Sequence, residues 1–262
     1  VSSPLLSISK LSVSFGGIKA LSEVSIDVPQ NSVVGLIGPN GAGKTTVFNC
    51  ISGLVKSDSG TFKFEGIERA FPKPHELVDL GITRTLQGVG LFNELSVIQN
   101  VMVGADKNYK PNFIKELFGL SGKVEANLKE RAEEALAWVG GSALLDKKPS
   151  ELSYPDSKRV ALARALVINP KLLLLDEPAA GLGQDDIDAL AALIKQIKRS
   201  CSILIVEHHV DFVREISDSV SVLNFGKLIA TGHYDEVKKN PAVIEAYLGH
   251  TENPDENSKL GA

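Results

Sequence analysis

One octet dominates the chemistry of this chain. Gly38-Pro39-Asn40-Gly41-Ala42-Gly43-Lys44-Thr45, followed by Thr46, fits the pattern G-x-x-x-x-G-K-[ST]. Gly38, Gly41 and Gly43 let the backbone curl so that successive N–H groups point inward around phosphate oxygens. A helix opening at Lys44 turns its positive dipole end to the same point. Lys44 then reaches the β- and γ-phosphates, and the Thr45 hydroxyl suits Mg²⁺. The set Gly38, Asn40, Gly41, Gly43, Lys44, Thr45 and Thr46 is the expected nucleotide-binding loop, with ATP and Mg²⁺ as the implied ligands.

A loop that holds phosphate still needs a metal-side carboxylate and a base. Leu172-Leu173-Leu174-Leu175-Asp176-Glu177 supplies both types at adjacent positions. An apolar strand ending in a carboxylate aims Asp176 at the Mg²⁺ shell. Glu177, one residue on, is a candidate general base for the attacking water.

Elements must place these groups side by side. Ser32–Ile37 is a β-branched apolar run that reads as a buried strand feeding the loop, and Lys44–Leu54 reads as the helix behind it. Leu5, Ile8, Leu11, Val13 and Phe15, then Leu21, Val24, Ile26 and Val28, alternate as strands around a Gly16-Gly17 turn. Thr61–Glu65 reads as another strand. From about Gln87 to Asp156 the texture becomes amphipathic and helical, clearest from Val124 to Val139, with a further short helix near Phe113–Leu120. Strand–helix alternation then returns: helix from Lys158 to Val167, strand Leu172–Leu175, helix Asp185–Ser200, strand Ser202–Val206, helix Val210–Ile216, and closing strands at Val220–Leu223 and Lys227–Thr231. Such alternation implies an α/β fold with a parallel central sheet. Thr251–Ala262 is polar and reads as a disordered tail.

Composition narrows the partners. The chain has 262 residues, a net charge of −4 and 43% hydrophobic residues. Its longest aliphatic runs fall far short of the ~18–20 residues of a membrane span. No basic stretch precedes an apolar core in the manner of a secretory signal. Mild acidity argues against nucleic acid as a partner. Cys50 and Cys201 read as buried, reduced thiols. Together these features point to a cytoplasmic protein.

Further residues carry a resemblance. The chain order is the phosphate loop, Thr85-Leu86-Gln87, Leu152-Ser153-Tyr154-Pro155-Asp156, Lys158–Leu166, Leu172–Pro178, and Val206-Glu207-His208. Over about residues 5–250 this resembles the ATP-binding subunit of ABC transporters. Thr83–Gly104, Val243–Gly249 and the insert around Asp106–Glu130 are similar to the branched-chain amino acid uptake branch. The resemblance implies an α/β P-loop NTPase with a RecA-like core, an N-terminal antiparallel β layer and a helical subdomain over about residues 87–157. All of it belongs to one cassette spanning 4–250.

The same resemblance implies roles. Phe15 stacks on adenine. Gln87 touches Mg²⁺ and senses the γ-phosphate. His208 contacts the γ-phosphate and helps hold the attacking water, beside Asp176 and Glu177. Ser153 belongs to the signature that faces the ATP of an opposite subunit. The implied assembly has two transmembrane permease subunits, a second ATP-binding subunit and an extracytoplasmic solute-binding protein, with this chain on the cytoplasmic face of the membrane. The rivals are a lipid or lipopolysaccharide exporter subunit, a non-transport ABC ATPase, and an unrelated P-loop kinase or GTPase; the last lacks the Gln87, Ser153 and His208 set.

The chain departs from the family pattern at Pro155 and Gly183, and Ser157-Lys158 replace the Gln-Arg usual after the signature. Pro155 stands where the signature has a glycine whose N–H meets the opposite γ-phosphate, and proline has no N–H. Gly183 stands where relatives carry Asp or Asn. Both serve the partner's ATP, whereas Lys44, Gln87, Asp176, Glu177 and His208 serve this chain's own. The pattern points to an asymmetric heterodimer; the alternative is that Pro155 and Gly183 are tolerated drift and both sites work.

Overall fold

The computed structural model describes residues 3–85, 88–105 and 122–248. Strands β1 (Leu6–Phe15) and β2 (Ile18–Val28) form the first hairpin. Its turn residues Gly16 and Gly17 have φ of 52° and 87°, the left-handed pair that matches strand twist in a two-residue turn. The chain passes through β3 (Val33–Ile37) and α1 (Lys44–Ile51), then returns to the hairpin as β4 (Ser59–Phe64) and β5 (Ile67–Arg69). These strands make an antiparallel sheet in the order β2-β1-β4-β5.

The central sheet follows the order β10-β9-β3-β8-β7-β6. Its members are β3, β6 (Ile82–Arg84), β7 (Leu172–Asp176), β8 (Ser202–Val206), β9 (Ser219–Asn224) and β10 (Lys227–Gly232). All pairs are parallel except the β9–β10 hairpin. Side chains alternate across this sheet, as a period of two requires. Leu172 and Leu174 join the core with Leu6, Phe62 and Phe64 of the antiparallel sheet. Leu173 and Leu175 join the core built with the helices.

That second core draws in α3 (Val97–Ala105), α4 (Gly122–Trp138) and α5 (Tyr154–Leu166) through Val101, Leu136 and Val160. It also takes in α6 (Gln184–Ile197) through Ile187 and Ile194, and α7 (Val210–Ile216) through Phe212. The short helices α2 (Leu77–Leu80), α8 (Tyr234–Val237) and α9 (Pro241–Leu248) complete the described chain. None of the described helices is long and apolar enough to cross a membrane.

Several boundaries differ from the sequence expectation, two of them for a visible physical reason. The helix after the phosphate loop stops at Ile51 rather than Leu54. Gly53 has φ of 69°, and a Cβ there would sit 2.1 Å from the Pro72 carbonyl oxygen, so the chain must turn. α5 starts at Tyr154, four residues before the expected Lys158, because Ser153 caps it. The strands β5 and β6, and helices α2, α3, α8 and α9, carry too little periodic signal at their length to stand out. The expected helix near Phe113–Leu120 and the tail Thr251–Ala262 lie outside the described residues.

Candidate functional site

The phosphate loop joins β3 to α1, so it emerges from the C-terminal edge of the parallel sheet, where α/β folds place ligands. Two of its glycines, Gly38 and Gly43, sit where packing is close. A Cβ at Gly38 (φ 148°) would sit 2.1 Å from the Leu223 carbonyl oxygen. A Cβ at Gly43 (φ 105°) would sit 2.7 Å from Leu21. The turn between β9 and β10 braces the loop from outside, with the Gly226 N–H donating to the Ala42 carbonyl at 2.9 Å.

Between these walls lies a cavity of about 430 Å³. Asn40 to Thr46 line it together with Glu177, Ile18, Lys19, Ala20, Phe225 and Gly226. Of the expected set, Asn40, Gly41, Gly43, Lys44, Thr45, Thr46 and Glu177 therefore share one hollow, whereas Gly38 and Asp176 do not line it. Phe15 ends β1, pairs with Ile18 across the hairpin and is half exposed. Ile18 and Lys19, rather than Phe15, line the cavity itself.

Lys44 is buried at the cavity floor. Its Nζ donates to the Gly38 and Pro39 carbonyls at 2.7 and 2.9 Å. Burial holds its ammonium below the ordinary lysine range, an effect Glu177 opposes in part. The loop's own carbonyls thus hold the cation that a triphosphate would take.

Asp176 is the last residue of β7 and is almost fully buried. Arg84, at the end of β6, donates from Nη2 to Asp176 Oδ2 at 2.7 Å. Asp176 Oδ1 has no hydrogen-bond partner among the described residues. The donor set suits a Mg²⁺ ion: Thr45 lines the loop cavity, and the neighbouring Asp176 keeps Oδ1 without a partner among the described residues, although Asp176 itself lines an adjoining cavity of about 510 Å³ with Thr85 and Pro178.

Glu177 leaves the strand with φ of 47°, a left-handed conformation for a non-glycine residue. Its N–H donates to the Val206 carbonyl at 2.9 Å. His208 Nδ1 lies 3.9 Å from Glu177 Oε1. The parallel β7–β8 register sets this pairing, because Asp176 faces Val206 across the ladder. Gln87 lies outside the described residues.

Residues to which the sequence reading gives no role hold these groups in place. Glu207 is fully buried. Its Oε1 accepts from the Ala179 N–H at 2.7 Å, and its Oε2 accepts from the His208 and His209 N–H groups at 3.0 and 3.2 Å. Lys158 donates to the Glu177 and Pro178 carbonyls at 3.3 and 2.8 Å. Burial lowers the Lys158 ammonium, against the attraction of Glu207 and Glu177. Arg164 donates to the Gly90 and Val89 carbonyls at 2.7 and 3.1 Å, which ties α5 to the segment following position 87. His209, to which the sequence reading gives no role, has its Nδ1 buried with no hydrogen-bond partner among the described residues.

A family model described as "ABC transporter" matches residues 21–180. The chain belongs to this family. A second model, "Branched-chain amino acid ATP-binding cassette transporter", matches residues 227–253. The ABC subunit is 36% identical over 253 residues to the high-affinity branched-chain amino acid transport ATP-binding protein BraF of Pseudomonas aeruginosa, covering 95% of this chain and 99% of that one. It is 37% identical over 254 residues to LivG of Escherichia coli, covering 95% and 99%. Among solved structures it is similar to the ADP conformation of MJ1267, an ATP-binding cassette of an ABC transporter, with a TM-score of 0.84 and 32% identity over 95% of this chain and 100% of that one. The fold is that of an ABC ATPase: a RecA-like core, an N-terminal β-sheet and a helical signature subdomain. The chain is an ATP-binding and ATP-hydrolysing subunit of an ABC transporter, related to the branched-chain amino acid uptake ATPases.

The signature of this ABC subunit caps a helix. Ser153 Oγ accepts from the Asp156 N–H at 3.2 Å and donates to Asp156 Oδ2 at 2.8 Å. Pro155 falls in the first turn of α5, where a missing N–H costs the helix nothing. Tyr154 Oη donates to the Ala180 carbonyl at 3.4 Å, joining the signature to the loop after Glu177. Gly183 is the N-cap of α6 and provides no side-chain cap.

Proposed function

We propose that this subunit powers uptake of branched-chain amino acids or similar small polar solutes. The observation that carries the reading is the match of residues 227–253 to the branched-chain amino acid cassette model, joined to end-to-end similarity with BraF and LivG. The assembly is a multi-subunit importer. It has two transmembrane permeases, an extracytoplasmic solute-binding protein, and this chain at the cytoplasmic face beside a second ATP-binding subunit.

ATP lies along the phosphate loop with its base toward the β1–β2 hairpin, where Phe15 stacks on adenine and Ile18 and Lys19 flank it. Lys44 exchanges its two carbonyl partners for phosphate oxygens. Thr45, Asp176 and Gln87 would hold Mg²⁺, which when bound would polarise the phosphates and offset their charge. Glu177 takes the proton of the attacking water, and His208 orients that water against the γ-phosphate.

The second ATP-binding subunit is a different cassette. Pro155 cannot donate an N–H to the γ-phosphate across the interface, and a hydrogen bond to a charged group contributes about 1.5–3 kcal/mol. The site on the partner's phosphate loop is therefore the weaker one. In the reconstituted transporter, Lys44→Ala in this chain is expected to abolish most ATP hydrolysis, and the matching lysine change in the partner to remove little. Equal losses would refute the asymmetry. Loss of leucine, isoleucine and valine uptake in a strain carrying Lys44→Ala tests the cargo, and unchanged uptake of all three would remove it.

A further inference from the structure

Arg84 stands at a junction that neither the phosphate loop nor the catalytic pair explains. It is the last residue of β6, with its side chain 12% exposed against 3% for Asp176. Nη2 donates to Asp176 Oδ2 at 2.7 Å. Nη1 donates to Asn49 Oδ1 and Ser52 Oγ, both at 2.8 Å. Asn49 lies on α1 and Ser52 is its C-cap. The guanidinium lies over the Phe48 ring, 5.5 Å from its centroid. One planar fork thus spans α1 and β7 while anchored on β6. The next residue adds a weaker tie, since the Asp176 N–H donates to Thr85 Oγ1 at 3.4 Å.

This arrangement fixes a carboxylate in rotation. With Oδ2 held by a rigid donor, Asp176 keeps Oδ1 without a partner among the described residues, and the ion pair restricts its rotation. The helix that sets the guanidinium is the same helix whose first turn carries Lys44 and Thr45. We infer that Arg84 is a positioning residue for the divalent cation: it aims Asp176 Oδ1 at the metal and keys that aim to the position of α1. The inference rests on the reading of Asp176 as the metal-side carboxylate. A plain structural ion pair would hold the fold together without favouring any cation geometry.

Lysine separates the two cases. Arg84→Lys keeps the charge but, as a point donor, cannot bridge Asp176, Asn49 and Ser52 together. The probe is a fluorescent ATP analogue, bound to the purified full chain in chelator and then titrated with Mg²⁺, with no turnover required. Affinity in chelator is expected to stay within about twofold of wild type. The Mg²⁺ concentration that gives half of the metal-dependent tightening is expected to rise about tenfold, the equivalent of one charge-assisted hydrogen bond. An unchanged Mg²⁺ requirement, or an equal loss in chelator and in Mg²⁺, would overturn the inference. If Arg84→Lys does not fold, Asn49→Ala decides the matter. It leaves both charges in place and frees Arg84 from part of its anchor on α1, and a Mg²⁺ requirement equal to wild type overturns the inference there too. Asp176→Asn is the control for the underlying reading. If it leaves Mg²⁺ dependence intact, the metal assignment of Asp176 fails; if it abolishes that dependence while Arg84→Lys does not shift it, only the role of Arg84 fails.

Discussion

Glu207 offers a quantitative test of how the two catalytic loops are joined. Its carboxylate accepts three backbone N–H bonds in a fully buried position, from Ala179, His208 and His209. Glu207→Gln retains the shape but leaves one acceptor oxygen. The better of the two amide orientations puts that oxygen on His208 and His209, and sets the NH₂ against the Ala179 N–H. One charge-assisted bond is lost, at about 1.5–3 kcal/mol. For a chain of this size each kcal/mol shifts Tm by about 2–4 °C, so Tm should fall by about 3–12 °C. Ala179 lies two residues beyond Glu177, and misplacement of a catalytic group by about 1 Å can cost on the order of 100-fold in rate. ATP hydrolysis by the reconstituted transporter should therefore fall about 10- to 100-fold, mainly in kcat. Calorimetry and a phosphate-release assay measure the two effects. Glu207→Ala strands all three donors and should cost at least twice as much stability. A Glu207→Gln protein with wild-type Tm and turnover would refute the claim that this carboxylate joins the loops.

Other outcomes follow from single positions. Pro155→Gly restores the missing N–H and should tighten ATP at the partner's phosphate loop by about 10- to 100-fold, read by analogue binding to the heterodimer; unchanged affinity would remove Pro155 as the cause of asymmetry. Glu177→Gln should trap ATP and hold the pair of ATP-binding subunits closed, seen as a stable dimer in size-exclusion chromatography with ATP; normal turnover would end its role as base. Burial pushes the Cys201 thiol up to about 12 and the Cys50 thiol up to about 11. Both thiols ionise more readily when unfolded, so their contribution to stability is complete below about pH 9 and is lost as pH rises through about 11–12. Denaturation midpoints measured across that range should decline less steeply for Cys201→Ala than for wild type.

The sequence is most legible where one local rule suffices. The phosphate loop reads directly because glycine, lysine and threonine spacing encodes backbone curl and charge. The four leucines of β7 read as a buried strand because both sides of the sheet take them into a core. The supports of the site are different. Arg84 binds groups 35 and 92 positions away along the chain, and Glu207 reaches back 28 positions to Ala179. No periodicity announces such bonds. A charged residue that closes or follows a strand, as Arg84 and Glu207 do, is the available signal. Ile18, Lys19 and Phe225 line the cavity only because two separate hairpins converge on the loop, which is a property of the topology.

The left-handed backbone at Glu177 bears on how this subunit could be engineered. A non-glycine residue held there costs on the order of 1–3 kcal/mol, and glycine adopts the same angles freely. A library ranked by heat resistance alone will therefore favour glycine at 177 and, with Glu177 as the proposed base, deliver a sturdier protein that hydrolyses ATP poorly. Survival and turnover compete for this one position. Robustness has to be sought where the two do not conflict. Gly183 is such a place: it has ordinary angles at the head of α6, a Cβ there meets nothing, and an Asp or Asn would cap the helix.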